Sequence, residues 1–304
     1  MTTLRSLVTT NVFTSASLVG RRHDLTPVVL VLPAIAVLAA LFVLPLASAF
    51  VMSFHQHHPV LGLRTEVFTL ANYARLGDSY HLGVFLRTIK ISGLVTAICL
   101  IVGYPIAYFC STLPRRAQAV VILGYLSPWL VSVVIKAYGW MVLLAENGIV
   151  NGLLLRLGLV DEPIRFLYSE FAIALGLAHA YLVFAILPIF TSLVAIDRRL
   201  LQAARNLGGT RLQVFRSVVL PLSLPGVVAG TLLVFTLTMA AFATPALLGG
   251  GRVKVVSYLA YEQALHLLNW PLAAAIGFVL MLVTGLVVFS YQRMSSRLLR
   301  GVAG

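Results

Sequence analysis

Residues 197–225 have the sequence DRRLLQAARNLGGTRLQVFRSVVLPLSLP and lie between two long apolar segments. Five arginines make this stretch too polar to lie inside a bilayer, because a charged side chain is costly in lipid. Its apolar residues nevertheless recur at helical spacing, which indicates ordered structure. Pro221 and Pro225 are expected to end its second helical part before the next apolar segment begins. The stretch therefore predicts an ordered, basic element at a membrane surface.

Local signals divide this stretch into two short amphipathic helices. Asp197 is suited to cap the first helix, because a carboxylate accepts a hydrogen bond from a free N–H of the first turn. Gly208 and Gly209 stop that helix and permit a sharp turn with positive φ. Thr210 and Gln213 have the spacing of a capping box, which begins the second helix. Two helices joined at a sharp turn form a shape that suits docking into a groove of another protein.

The composition places the whole chain among integral membrane proteins. Of its 304 residues, 60% are hydrophobic and 10% are charged, and a soluble domain could not cover so much apolar surface. A helix that spans a bilayer needs about 20 apolar residues. Six stretches are long enough: 27–54, 85–112, 117–145, 170–196, 226–248 and 271–291. We therefore predict an all-α integral membrane protein with six transmembrane helices.

The charged residues predict an orientation. With the N-terminus inside, the inner segments hold 13 of the 22 Lys and Arg but two of the nine acids, whereas the outer segments hold seven of each. Basic residues concentrate on the cytoplasmic side of membrane proteins. We therefore expect both termini in the cytoplasm, as tails of residues 1–26 and 295–304 around a membrane domain of residues 27–294, with the loop at 197–221 on the same side. The net charge of +13 then indicates orientation and not a nucleic-acid partner.

The loop also has a specific residue order: Gln-Ala-Ala, then Gly after three residues, then Val-x-Leu-Pro after nine more. This order resembles the EAA signature of bacterial ABC importer permeases, Glu-Ala-Ala-x3-Gly-x9-Ile-x-Leu-Pro, with Gln202 and Val218 as substitutions. The resemblance implies a type I ABC importer-like transmembrane domain whose loop is a coupling helix seated in a cytoplasmic ATPase. The coupling residues that it implies are Gln202, Ala203, Ala204, Gly208, Gly209, Val218, Leu220 and Pro221. An ordinary juxtamembrane amphipathic loop is the alternative.

The third apolar stretch carries polar and aromatic residues at steps of three and four: Tyr125, Trp129, Ser132, Lys136 and Trp140. In one continuous helix these side chains would share a face. Lys136 lies well inside the stretch, and charged residues within spans usually face a cavity or a partner. One interpretation is that this face lines a translocation path. In the other, Lys136 extends its side chain to the outer headgroups.

Several further features resemble the membrane subunit of spermidine/putrescine-type importers. They are Trp129, Lys136 with Trp140, the Asn-Gly pairs at 147–148 and 151–152, Phe242 with Pro245, and Asn269-Trp270-Pro271. The two Asn-Gly pairs are predicted to form turns. The resemblance implies a polyamine as the transported solute. Related permeases carry opines, amino acids or aminophosphonates, and these solutes are the alternatives.

The same resemblance implies an assembly in the bacterial inner (plasma) membrane. Its other members would be a cytoplasmic ABC ATPase dimer, a second permease subunit that is homologous or identical, and a periplasmic or extracellular solute-binding protein. The chain has no G-x-x-x-x-G-K-[ST] phosphate-binding loop, so the partner ATPase would bind the ATP and no cofactor is expected here. No paired carboxylates or catalytic triad are evident either. We therefore expect a transport subunit and not an enzyme.

An ion-coupled secondary transporter is the alternative from another class, and a membrane scaffold or enzyme anchor is a third. Ion-coupled carriers usually need acidic residues inside the membrane. No Asp or Glu lies deep in the six stretches, and Glu170 lies at the end of one of them. A scaffold would not need the full EAA spacing. These observations favour the ABC permease.

Other chemically active residues have ordinary explanations. His55, His57 and His58 are close enough in sequence to bind a metal, but we expect a polar cluster without fixed geometry, so neither a metal nor a catalytic site is predicted. Cys99 and Cys110 would lie about 16 Å apart along one helix, beyond disulfide reach. The sequence also indicates a short surface helix near residues 70–78, which either contacts an external partner or only connects two spans. His179, alone in an apolar stretch, is expected to be a packing residue.

Overall fold

The computed structural model describes residues 26–58 and 62–303, with the side chains of residues 31–57 and 67–296 among them. The predicted tail at residues 1–26 therefore lies outside the described residues, apart from Thr26. The chain divides into two compact units, Met1–Ala49 and Phe50–Gly304. The described part of the first unit is helical, and its side chains at 31–48 are exposed. The second unit contains the loop at 197–221 and the stretch at 117–145, on which the predictions of coupling and of a translocation path depend.

Helices make up most of the described chain. They are α1 (Thr26–Met52), α2 (Ala71–Arg75), α3 (Ser79–Thr112), α4 (Arg115–Leu130), α5 (Val133–Leu144), α6 (Ile149–Arg156), α7 (Glu170–Val194), α8 (Arg198–Asn206), α9 (Arg211–Val214), α10 (Leu220–Met239), α11 (Ala243–Gly249), α12 (Val256–Tyr261) and α13 (Trp270–Ala303). Two π-helical turns, Phe215–Val219 and Glu262–His266, continue α9 and α12. The short helix predicted near residues 70–78 is confirmed as α2.

A small antiparallel hairpin accompanies the helices. Strand β1 (His55–His58) pairs with β2 (Gly62–Phe68), with His57 opposite Leu63 and a register shift next to His55. This hairpin was not predicted from the sequence. Pro59 between the two runs is a turn signal that was available in the sequence. The hairpin is small, so the all-helical membrane fold class stands.

Six helical segments among the described residues are long and apolar enough to cross a membrane, as predicted. They are Val31–Met52, Ser79–Thr112, Val133–Arg156, Glu170–Val194, Arg211–Met239 and Trp270–Ser296. The third differs most from its prediction, because it begins at Val133 and includes α6. The sixth helix is also longer than expected, since α13 extends to Ala303 through the predicted tail at 295–304.

The predicted continuous helix over residues 117–145 is wrong. Helix α4 ends at Leu130, and Val131 and Ser132 have extended ψ angles of 137° and 136° before α5 begins. Pro128 lies inside α4, two residues before its end, and its ring removes the hydrogen bond that an N–H at this position would make to the carbonyl of Gly124. The hydroxyl of Ser127 donates to that carbonyl instead, at 2.9 Å. The polar side chains of this stretch therefore lie on two helices.

Helix α7 forms the centre of the second unit and packs against α3 and α10. It is the most buried of the membrane-length helices, with 61% of its apolar 18-residue segment buried inside the protein. Small residues permit this packing: a Cβ atom at Gly103 or Gly230 would lie within 3.4 Å of atoms of Ala185. A Cβ at Gly226 would meet Ser192 at 2.5 Å. Close approach at these glycines fixes α3, α7 and α10 as one packed core.

Candidate functional site

The loop at residues 197–221 begins with the predicted capped helix. The Asp197 carboxylate (Oδ1) accepts a hydrogen bond from the main-chain N–H of Arg199 at 2.9 Å. Thr210 and Gln213 form the predicted capping box: Gln213 Oε1 accepts the N–H of Thr210 at 2.8 Å, and Thr210 Oγ1 accepts the N–H of Gln213 at 3.3 Å. Both helix starts are therefore set by side chains of the loop itself.

The turn between α8 and α9 depends on its two glycines for different reasons. Gly208 has a φ of 86°, in the left-handed region that favours glycine, and faces open space. At Gly209 the main-chain N–H donates to the carbonyl of Ala204 at 3.1 Å. A Cβ at Gly209 would approach that same carbonyl oxygen to 2.7 Å. Gly208 is required by conformation and Gly209 by close packing.

Pro221 and Pro225 do not end the second helix, contrary to the prediction. The chain is helical from Arg211 to Met239, because the π-helical turn Phe215–Val219 joins α9 to α10. In that turn the N–H of Leu220 donates to the carbonyl of Phe215, five residues earlier. The wider turn directly precedes Pro221, the second residue of α10, and such π-helical turns occur as local irregularities inside longer helices. The loop is thus connected to a spanning segment by uninterrupted helix.

Aromatic residues attach the loop to α3. The ring of Phe215 meets those of Tyr104 and Tyr108 edge to face, with centroids 5.9 and 5.5 Å apart. The hydroxyls of Tyr104 and Ser223 are hydrogen-bonded at 2.9 Å, and Ser223 is fully buried. Val219 is buried in the same core cluster as residues of α3 and α7. A displacement of the loop would therefore act on the core helices through these contacts.

The remaining surface of the loop is free. Gln202 and Ala203 are exposed, as are all five arginines. Leu200 and Leu212 are 50% and 59% exposed, and Leu207, next to the turn, is 90% exposed. Single exposed leucines are ordinary on a protein surface, but here they accompany the EAA-like residues on a basic, rigid element. This combination fits a docking surface.

The five residues predicted to share one face are divided between two helices. Tyr125 and Trp129 lie on α4, Ser132 lies before α5 without forming a side-chain cap, and Lys136 and Trp140 lie on α5. Tyr125 packs against the core cluster near the loop. Trp140 packs against the cluster at the other end of α7. The shared face that a single helix would give is therefore absent, because the helix is interrupted between Trp129 and Lys136.

Helix α7 brings the two tryptophans into one aromatic strip. The rings of Trp129 and Phe184 lie 6.0 Å apart, and those of Tyr181 and Phe184 lie 6.3 Å apart. Trp140 Nε1 donates a hydrogen bond to Nδ1 of His179 at 3.3 Å. His179 is exposed, but its ring also packs edge to face on that of Trp140, with centroids 5.7 Å apart, so its expected role as a packing residue stays a prediction. Phe184 was not predicted from the sequence, because only the α4–α5 side of the contact had a visible pattern.

A cavity of about 690 Å³ lies at the end of α7 opposite the loop. Its lining residues are Leu144, Ala145, Glu146, Asn147, Arg165, Phe166, Leu167, Tyr168, Ser169 and Arg252. Glu146 and Arg165 form an ion pair at 3.0 Å, and Arg252 lies over the ring of Tyr168 at 5.6 Å. The cavity is therefore polar and rich in arginine.

Asn151 fixes the shape of this region. It is fully buried, and its amide donates to the carbonyls of Ala145 and Ile164 at 3.0 and 2.9 Å. Its Oδ1 accepts the N–H of Ile164 at 2.9 Å. The predicted turn at Asn147–Gly148 is confirmed, but Asn151 and Gly152 belong to α6 and do not form a second turn. Asn151 is used for its hydrogen bonds and not for turn formation.

Ion pairs hold the other segments at this end. Glu170 pairs with Arg87 at 3.4 Å and Lys90 at 2.7 Å, and Lys254 pairs with Glu262 at 2.6 Å. Partial burial disfavours the charge of Lys254, but the hydrogen bond and charge of Glu262, together with Tyr80, outweigh it, so the pKa of Lys254 is raised above its ordinary value. The ion pair of Lys254 therefore stabilises the fold at neutral pH. This stabilisation is lost only as the pH rises through the raised pKa of the lysine.

No group of three or more metal-ligating side chains occurs within the described residues. His55 is buried, with its ring 4.7 Å from that of Phe68, while the side chain of His58 lies outside the described residues. Cys99 and Cys110 are both free and buried, as packing residues would be.

The chain is similar to characterised transport permeases. Spermidine/putrescine transport system permease protein PotB of Escherichia coli (strain K12) is 36% identical over 233 residues, which cover 77% of this chain and 84% of that protein. The chain belongs to the ABC importer permeases, in the spermidine/putrescine-type subfamily. The inner membrane ABC transporter permease protein YdcU of the same organism is 30% identical over 244 residues, covering 76% of this chain and 78% of that protein. No protein-family model matches the chain.

A solved structure supports the fold assignment. A chain of a bacterial alginate ABC transporter in complex with an alginate-bound periplasmic protein superposes with a TM-score of 0.76 at 19% identity. The superposition covers 91% of this chain and 96% of that one. The permease is thus a multi-pass transport subunit of the bacterial inner (plasma) membrane, and not an enzyme.

Proposed function

We propose that this permease carries a polyamine of the spermidine/putrescine class into the cell. The observation that carries the proposal is the similarity to PotB, at 36% identity over 77% of the chain. Exposed acids, Asp161 and Glu162, follow α6 and would attract a polycation. Glu146, a third acid in this region, is already paired with Arg165.

We propose the predicted orientation and assembly on the same basis. Both termini and the loop at 197–221 face the cytoplasm, where an ABC ATPase dimer binds ATP and seats the loop in its surface. A second permease subunit completes the path, and a periplasmic or extracellular binding protein delivers the solute. The free basic surface of α8 and the helix that continues through Pro221 support this arrangement, because both suit a rigid coupling element.

ATP-driven closure of the ATPases would move this loop as a rigid body. The contact of Phe215 with Tyr104 and Tyr108 would pass the movement to α3, and the helix continuing into α10 would pass it to the core. The spans would then alternate between outward-open and inward-open states. Coupling would involve the EAA-like residues from Gln202 to Pro221.

The translocation path is proposed to follow the aromatic strip and not a single helix face. Tyr125, Trp129, Ser132, Lys136 and Trp140 contribute from α4 and α5, and His179 and Phe184 contribute from α7. Aromatic faces attract ammonium groups, which favours a polyamine. Lys136 would repel the same solute, so its ammonium would weaken binding within the path and favour release.

The test is purification of the tagged permease in mild detergent with mass spectrometry, followed by uptake into proteoliposomes that contain ATP. We expect an ATPase, a second six-span chain and a binding protein to co-purify, and labelled spermidine or putrescine to enter only with ATP inside. Uptake of an opine, amino acid or aminophosphonate instead would contradict the polyamine proposal. Uptake driven by a proton or sodium gradient without ATP would favour the ion-coupled carrier.

A further inference from the structure

The turn after α11 is shaped around one tyrosine ring. Gly250 and Gly251 follow the end of α11 with φ angles of 54° and 72°, in the left-handed region. A Cβ atom at Gly250 would run into the ring of Tyr168. Any larger residue at Gly250 would therefore displace that ring, so the glycine is needed for the tyrosine to occupy its position.

Tyr168 is itself held in an uncommon conformation. Its φ is 61°, a value that non-glycine residues adopt only where the surroundings fix it. Its main-chain N–H donates to the carbonyl of Leu248 at 2.9 Å, which attaches it to the last turn of α11. The tyrosine and the glycine turn thus form a fixed platform on the wall of the 690 Å³ cavity.

Arg252 is oriented by this platform but remains available. Its guanidinium carbon lies 5.6 Å from the centroid of the Tyr168 ring, and the side chain is exposed. A cation–π contact positions the guanidinium and leaves its N–H donors free. Among the described side chains, no ion pair joins Arg252 to a carboxylate, whereas Arg165 of the same cavity pairs with Glu146. Two arginines and one glutamate leave the cavity positively charged.

We propose that this cavity docks an acidic side chain of the solute-binding protein, with Arg252 as the carboxylate ligand. The planar fork of arginine binds a carboxylate through two parallel hydrogen bonds. The same charge repels a polyamine, so the transported solute is not the occupant. The cavity lies at the end of α7 that is opposite the coupling loop. In the proposed orientation this end of α7 faces the binding protein. The inference therefore rests on the proposed function and adds the chemistry of that contact.

The test measures binding of the solute-loaded binding protein, purified from the same bacterium, to the complete complex in lipid nanodiscs. Arg252→Ala is compared with Arg156→Ala, because Arg156 is also exposed but does not line the cavity. We expect Arg252→Ala to raise Kd about tenfold and to reduce its dependence on salt, and Arg156→Ala to change Kd less than about twofold. Arg252→Lys should fall between them, since it keeps the charge and loses the fork.

The outcomes separate this inference from the proposed function. An unchanged Kd for Arg252→Ala, beside measurable binding to the wild-type complex, would overturn the docking site and leave the proposed function intact. No binding to the wild-type complex would contradict the proposed partner itself. The Tm of the complex should be the same for both alanine variants. A lower Tm in Arg252→Ala alone would assign the residue a structural role and overturn its role as a ligand.

Discussion

Short interruptions separate two helices both in the loop at residues 197–221, our proposed coupling element, and in the pair α4–α5, but they arise by different means. In the loop, Gly208 makes the turn, and Asp197 and Thr210 cap the helices, all within the segment. In α4–α5 the interruption falls at Val131 and Ser132, and the two helices are positioned by ring contacts with α7. We infer that the loop moves as one rigid body, whereas the proposed path residues move with the core.

The first prediction tests the self-contained turn of the loop. Gly208→Pro and Gly208→Val should lower ATPase co-purification and uptake about tenfold, because a left-handed conformation costs a β-branched residue roughly 1–2 kcal/mol and excludes proline. Gly158→Val is the matched control, since Gly158 also has a positive φ and faces open space, but lies after α6. Normal uptake by the Gly208 variants, or an equal loss in the control, would contradict a coupling role for the turn.

The second prediction tests the attachment of the loop to the core. Phe215→Ala removes two edge-to-face ring contacts, each worth roughly 1 kcal/mol. We expect the solute transported per ATP hydrolysed to fall about fivefold, with ATP hydrolysis largely retained. The measurement is the ratio of uptake to phosphate release in proteoliposomes.

Phe109→Ala provides the control for that experiment, because Phe109 neighbours Tyr108 on α3 but is 62% exposed. It should leave the ratio within about twofold of wild type. If Phe215→Ala lowers uptake and hydrolysis in proportion, the aromatic contact supports folding and does not transmit the movement.

The third prediction concerns the helix break. Pro128→Ala should restore the hydrogen bond to the carbonyl of Gly124 and extend α4, shifting Trp129 from Phe184 and lowering uptake about threefold. Spin labels at the exposed positions 123 and 135 report the change directly. In a straight helix, 12 residues span about 18 Å, and the distance should move toward that value. An unchanged distance would show that the packing against α7, and not the proline, imposes the break.

The fourth prediction has the smallest expected effect. Lys136→Ala should lower KM for spermidine about twofold, because it removes a cation from the proposed path. Lys90→Ala is the control, since Lys90 pairs with Glu170 near the start of α7. Kinetics identical to wild type would indicate that the Lys136 ammonium extends to the headgroups.

These regions also differ in how far the sequence could predict them. The caps and turn of the loop follow from contacts of at most a few residues, so their spacing was sufficient. The π-helical turn that carries the helix past Pro221 was not predictable, because prolines normally indicate the end of a helix. Similarly, the role of Pro128 was overlooked because a regular aromatic spacing suggested one helix. Phe184, and the contact of His179 with Trp140, became visible only once α7 lay beside α4 and α5.

We propose that the loop at 197–221 seats in an ATPase. The variant Leu207→Cys tests this seating, because residue 207 is 90% exposed and the native cysteines are buried. A thiol-to-amine crosslinker applied to native membranes should join Cys at this position to an ABC ATPase, with a yield that changes when ATP is bound. Leu157→Cys, exposed at the other end, should give no such product. Insertion of the Leu207→Cys protein without any ATPase crosslink would contradict the claim.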